Sequence, residues 1–70
     1  MMPLVLAEAG EENTIRKVGG SAEMRQHLED MGFVVGGSVT VMSVIGGNLI
    51  VNVKGARVAI SKEMAQKIMV

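Results

Sequence analysis

Residues 49–60 read LIVNVKGARVAI, two apolar stretches that flank a Lys54-Gly55 dipeptide. If this dipeptide is a two-residue turn, the two stretches pair as antiparallel strands with apolar residues opposite each other on one face: Val53 with Ala56, Val51 with Val58, and Leu49 with Ile60. The opposite face then pairs Asn52 with Arg57, and Ile50 with Ala59. Because a slip of one residue would exchange the two faces, the sequence predicts a β-hairpin with a well-specified register.

A further strand is predicted upstream of this hairpin. Val39 and Val41 alternate with polar neighbours, which is typical of a half-buried strand. The alternation slips at residues 42–44, so we expect a bulge there. Residues 45–48 contain Gly46-Gly47 and are expected to form the turn into the hairpin.

Two segments have the period of a helix. Ser21 is a suitable N-cap for a helix over residues 21–31, with one apolar stripe expected to face the core: Met24, Leu28 and Met31. Gly32 is expected to end this helix in a left-handed conformation. Ser61 is expected to cap a short C-terminal helix, from which two residues return to the core: Met64 and Ile68.

The N-terminal part predicts two more strands, at residues 4–7 and 14–18. The chain is thus expected to be mainly β, with about five short strands, one inserted helix and a short terminal helix. With 70 residues it is one domain, residues 1–70, and 11 Val and 5 Ile against 4 Leu favour a β core. This pattern indicates a small, strongly bent sheet or barrel.

Composition excludes several classes of function. Seven basic and seven acidic residues balance, and Phe33 is the only aromatic residue, which argues against nucleic-acid binding. No phosphate-binding motif of a GTPase is present, and Ser21 and His27 give no sign of a nucleophilic centre, so we expect no enzyme. No apolar run reaches the length of a membrane helix, the N-terminus does not fit a signal peptide, and the lack of Cys fits a cytoplasmic protein.

A possible metal site lies on the predicted first helix. Glu23, His27 and Asp30 are spaced by four and three residues, which places two carboxylates and an imidazole on one helical face. Such ligands suit Fe(II), Mn(II) or Zn(II) at a weak surface site. The competing interpretation is a solvated helix face, and the seven Met residues are better explained as core packing than as ligands.

Several segments resemble the FeoA family of ferrous iron transport accessory proteins. They are LEDMGFVVG at 28–36, VTV at 39–41, KGARVAI at 54–60, and the closing Ala65-x-x-Ile68-x-Val70. The resemblance covers nearly the whole chain. It implies an SH3-like small barrel and a cytosolic role beside FeoB, the membrane ferrous iron permease with a GTPase domain.

These observations predict an interaction module without a required cofactor. The expected contact region is the loop 32–37 with the preceding helix, and its candidate residues are Arg25, Phe33, Val34 and Val35. Three consecutive apolar side chains in a loop cannot all point inward unless the loop is buried, so at least one is expected at the surface. Which of them enters the core is not decided by the sequence. The alternative function is direct, weak binding of ferrous ion by Glu23, His27 and Asp30.

Overall fold

The computed structural model describes residues 1–70 and contains six strands and two α-helices. A 3₁₀ turn at Leu4–Leu6 comes first. The remaining elements follow in this order: β1 (Glu12–Thr14), β2 (Lys17–Val18), α1 (Ala22–Asp30), β3 (Ser38–Ile45), β4 (Asn48–Val53), β5 (Ala56–Ser61), α2 (Lys62–Ala65) and β6 (Ile68–Met69).

Two antiparallel sheets form the frame. The larger sheet has the order β1-β3-β4-β5, and the smaller pairs β2 with β6. Because β1 and β2 are separated only by Ile15 and Arg16, this segment of the chain passes from one sheet to the other. The result is the bent, mainly β architecture that the sequence predicts.

The β4–β5 hairpin has the predicted register. The turn residues Lys54 and Gly55 both have positive φ, 50° and 74°, as a type I′ turn requires. All five predicted cross-strand pairs are present. The inner face is buried at β4, whereas Val58 is half-buried and Ala56 is exposed, so burial decreases toward the turn end of β5.

The bulge in β3 is also confirmed. Val41 pairs with Val51, but the next pair joins Ser43 to Ile50, so Met42 is the additional residue. Beyond this point the alternation in β3 has changed phase. Val44, opposite the buried Leu49, extends past the core and is 56% exposed.

Both predicted caps are formed. The Ser21 hydroxyl accepts a hydrogen bond from the Met24 N–H at 3.1 Å, and the Ser61 hydroxyl accepts one from the Met64 N–H at the same distance. Gly32 has a φ of +106° and ends α1, as expected. Of the predicted apolar stripe of α1, Leu28 is fully buried, and Met24 and Met31 pack against the core from its margin.

The N-terminal predictions are partly wrong. Residues 4–7 do not form a strand: the Leu6 and Ala7 N–H groups donate to the carbonyls of Pro3 and Leu4 at 3.0 and 2.9 Å, which closes a 3₁₀ turn. The predicted strand over 14–18 is divided between β1 and β2. The sequence pattern missed β6, whose partner β2 lies some fifty residues away along the chain.

The core contains only apolar side chains. Fourteen buried hydrophobic residues form one cluster, and no polar or charged residue is buried. Phe33, at 0% exposure, is its largest fully buried side chain. The structure thereby corrects the expectation that Phe33 contributes to a partner surface, because its ring has no exposed area. Neither α-helix is long and apolar enough to cross a membrane.

We expect Gly55→Val to destabilise the protein by about 1–3 kcal/mol, because a β-branched residue is strained at a positive φ. A Cβ at this position would meet no atom within 4 Å, so backbone conformation alone causes the loss. Gly47→Val is the matched control, since Gly47 also faces open space but has no positive φ. Urea denaturation of both variants measures the effect. Equal midpoints for the two variants would contradict the role assigned to the turn.

We expect Phe33→Ala to lower the free energy of unfolding by about 3–5 kcal/mol, the usual loss for a buried aromatic ring. In a domain of this size such a loss leaves a large fraction of molecules unfolded. Val35→Ala, two residues away at an exposed position, is expected to change stability by less than about 0.5 kcal/mol. Thermal unfolding followed by circular dichroism distinguishes the two. A folded Phe33→Ala protein of nearly wild-type stability would show that the ring does not anchor the loop.

Candidate functional site

The loop from Gly32 to Gly37, hereafter the docking loop, is held by backbone hydrogen bonds at both ends. The Phe33 N–H donates to the Leu28 carbonyl at 3.0 Å, which ties the start of the loop to α1. At the other end, the Gly36 N–H donates to the Ile15 carbonyl, and the Ile15 N–H donates to the Gly37 carbonyl, both at 2.8 Å. The loop is thus fixed against the segment that links β1 to β2.

The three apolar side chains of the docking loop point to different environments. Phe33 fills the core, Val34 is half-buried, and Val35 is 67% exposed. A hydrogen bond of 3.0 Å from the Gly37 N–H to the Val34 carbonyl folds the loop back on itself, and Gly36, with φ +90°, permits this reversal. The expectation that at least one of the three lies at the surface is confirmed, and that residue is Val35.

Arg25 is the charged member of the predicted contact region. It lies on α1 and is exposed, and its side chain makes none of the side-chain hydrogen bonds found in the structure. Its guanidinium is therefore available to an incoming carboxylate.

The predicted metal ligands remain apart. Glu23, His27 and Asp30 are all exposed on α1, and no group of three His, Cys, Asp or Glu side chains in the structure is arranged to hold an ion. The Oδ1 atom of Asp30 instead accepts a hydrogen bond from the Gln26 Nε2 at 2.9 Å. Glu23 and Asp30 are seven residues apart on α1, roughly 10 Å along the helix axis, so the three side chains do not gather around one ion.

Sequence reasoning missed the exposed apolar residues at the end of β3. Val44 and Ile45 are 56% and 65% exposed, and Met42 is 39% exposed at the bulge. The change of phase at the bulge turns Val44 to the inner face, opposite the buried Leu49, so its exposure shows that this end of β3 lies beyond the core. The structure contains no pocket of small-molecule size.

Comparison with known proteins assigns the family. Residues 2–70 match the family model described as the FeoA domain. A protein of Methanocaldococcus jannaschii, provisionally named Fe(2+) transport protein A, is 36% identical over 70 residues, which are 100% of this chain and 85% of that protein.

Solved structures are similar along almost the whole chain. A crystal structure of an iron uptake regulatory protein, FeoA, has a TM-score of 0.89 at 29% identity and covers 97% of this chain and 92% of its own. The zinc complex of Stenotrophomonas maltophilia FeoA, described as a prokaryotic SH3 domain protein, has a TM-score of 0.76 at 21% identity, over 99% of this chain and 88% of its own. The second likeness shows the fold alone, and it confirms the expected SH3-like architecture. The chain belongs to the FeoA family, whose members are accessory proteins of ferrous iron transport and not enzymes.

Proposed function

We propose that this protein regulates ferrous iron transport in the cytoplasm by binding the membrane ferrous iron permease that carries a GTPase domain, the FeoB type. Membership of the FeoA family supports a role in ferrous iron transport. Binding to another protein supplies such a role without any catalytic group in this chain.

The observation that carries the proposal is the exposure of Val35 on a loop that is fixed from both sides. An apolar side chain that is already held in place loses little conformational freedom when a partner covers it, so more of the burial energy is available for binding. Phe33 provides the anchor on the inner side of the same loop, through its complete burial. The docking loop therefore presents Val35 as a preorganised apolar contact.

Arg25 supplies the polar part of the proposed interface. It is exposed on α1, the helix that leads directly into the docking loop. Arginine is enriched at the energetic centres of interfaces, and its planar guanidinium binds carboxylates through two parallel hydrogen bonds. We infer that Arg25, Val34 and Val35 contact the permease together, with Phe33 supporting them from the core.

Replacing Val35 by Ser is expected to weaken binding to the permease by about tenfold or more while the fold remains intact. Val44→Ser is the matched control, because Val44 is also an exposed valine, at 56% against 67%, but lies on β3 outside the docking loop. Pull-down from membranes containing the permease measures binding, and circular dichroism checks the fold of both variants. Equal binding by the two variants would show that the docking loop is not the contact.

Anaerobic titration with Fe(II) is expected to shift only NMR signals around His27, and only weakly, because the ligand geometry on α1 is incomplete. His27→Gln should remove that shift without changing binding to the permease. A stoichiometric site of micromolar affinity or better would replace the interaction function with direct ion binding. In that case His27→Gln would also abolish the tight site.

A further inference from the structure

Strand β5 leaves one edge of the larger sheet unpaired. It lies at the end of the strand order, and β4 is its only strand neighbour. In an antiparallel hairpin with a two-residue turn, the residues flanking the turn, Val53 and Ala56, form a hydrogen-bonded pair, and the pairs then alternate. The N–H and C=O groups of Arg57 and Ala59 consequently point away from β4.

These outward groups find no partner elsewhere in the chain. Neither Arg57 nor Ala59 takes part in the backbone hydrogen bonds outside the helices and strands, and no side chain bonds to them. Both residues are exposed. The edge of β5 therefore offers two neighbouring sets of backbone donors and acceptors to an added strand.

Three of the usual protections of a sheet edge are absent from β5, whose one charged side chain is the exposed Arg57. Such edges are generally short, interrupted by proline or bulged. This strand has six residues, contains no proline, and pairs with β4 without a register shift. It is thus a regular template for a strand from outside the domain.

The side chains of β5 define which strand would fit. On the outer face lie Arg57 and the small Ala59, and on the inner face lie Val58 and the buried Ile60. Val58 packs against the core but is only half-buried, since burial along β5 decreases toward the turn. An apolar side chain next to Val58 would extend the core, and an acidic one next to Arg57 would form an ion pair.

The charge distribution along the chain favours an acidic partner. Every charged residue between 31 and 62 is basic, namely Lys54, Arg57 and Lys62, whereas six of the seven acidic residues lie within residues 1–30. The seventh, Glu63, follows on α2. Glu12 lies in the same row of outer-face residues as Arg57, with Thr40 and Asn52 between them. Three strand spacings, roughly 14 Å, separate Glu12 from Arg57, which is too far for an ion pair.

We propose that the free edge of β5 binds an extended segment of a partner protein, with alternating acidic and apolar residues, as an additional strand. The backbone groups of Arg57 and Ala59 hold the segment, Arg57 selects acidic residues on the outer face, and Val58 selects apolar residues on the inner face. A second copy of this chain fits less well, since β5 contains Arg57 and no acidic residue, so a second β5 supplies no carboxylate to pair with Arg57. The proposal does not depend on the identity of the permease.

The test uses an octapeptide of alternating valine and glutamate as the probe, and an octapeptide of alternating valine and lysine as its matched control. We expect the acidic peptide to shift the amide NMR signals of Arg57 and Ala59 and to slow their hydrogen exchange, and the basic peptide to leave them unchanged. Shifts confined to the docking loop, or no shifts from the acidic peptide, would overturn the proposal. Concentration-dependent shifts at β5 without any peptide would overturn it in favour of self-association.

Variants at the edge separate backbone pairing from charge. Ala59→Pro removes one outward N–H and leaves the hydrogen bonds to β4 intact, a change that an edge strand tolerates. This variant should bind the acidic peptide about tenfold more weakly. Ala59→Thr retains that N–H and should bind like the wild type. Arg57→Glu should weaken binding by about fivefold, whereas Arg16→Glu, the same charge change at an exposed site outside β5, should have little effect. Unchanged binding in both Ala59→Pro and Arg57→Glu would overturn the proposal.

Discussion

The register of the β4–β5 hairpin is the constraint on which the rest of the structure depends. β4 is paired on both sides, with β3 and with β5, and its inner residues Leu49, Val51 and Val53 are all buried. A shift of one residue at the Lys54-Gly55 turn would place Ile50 and Asn52 in the core instead. The bulge in β3 and the position of α2, which follows β5 directly, both depend on this register.

A core made only of apolar side chains restricts function to the surface. No polar residue is buried, and the titratable groups of α1 lie in solvent without forming a cluster. What distinguishes the surface is a fixed loop with an exposed Val35 and a free strand edge at β5. Both features suit the recognition of another protein, the first through an apolar contact and the second through main-chain hydrogen bonds.

The sequence was sufficient wherever neighbours in the chain determine the structure. The hairpin pairs, the bulge after Val41, both serine caps and the left-handed Gly32 were predicted because turn chemistry and side-chain period are local properties. It was insufficient at the N-terminus, where residues 4–7 are too few to show a period. It also missed β6, because a two-residue strand exists only through its pairing with the distant β2.

The same distinction between local and long-range determinants applies to the candidate site. The sequence by itself determined that residues 33–35 are apolar, that a glycine ends α1, and that at least one of the three must reach the surface. Only the tertiary structure decided that Phe33 turns inward and Val35 outward, since a loop has no period and its side chains follow the hydrogen bonds to the distant Ile15. In the same way the sequence determined the alternating pattern of β5, but the sheet order left its edge free, because strand neighbours are set by packing across the whole chain.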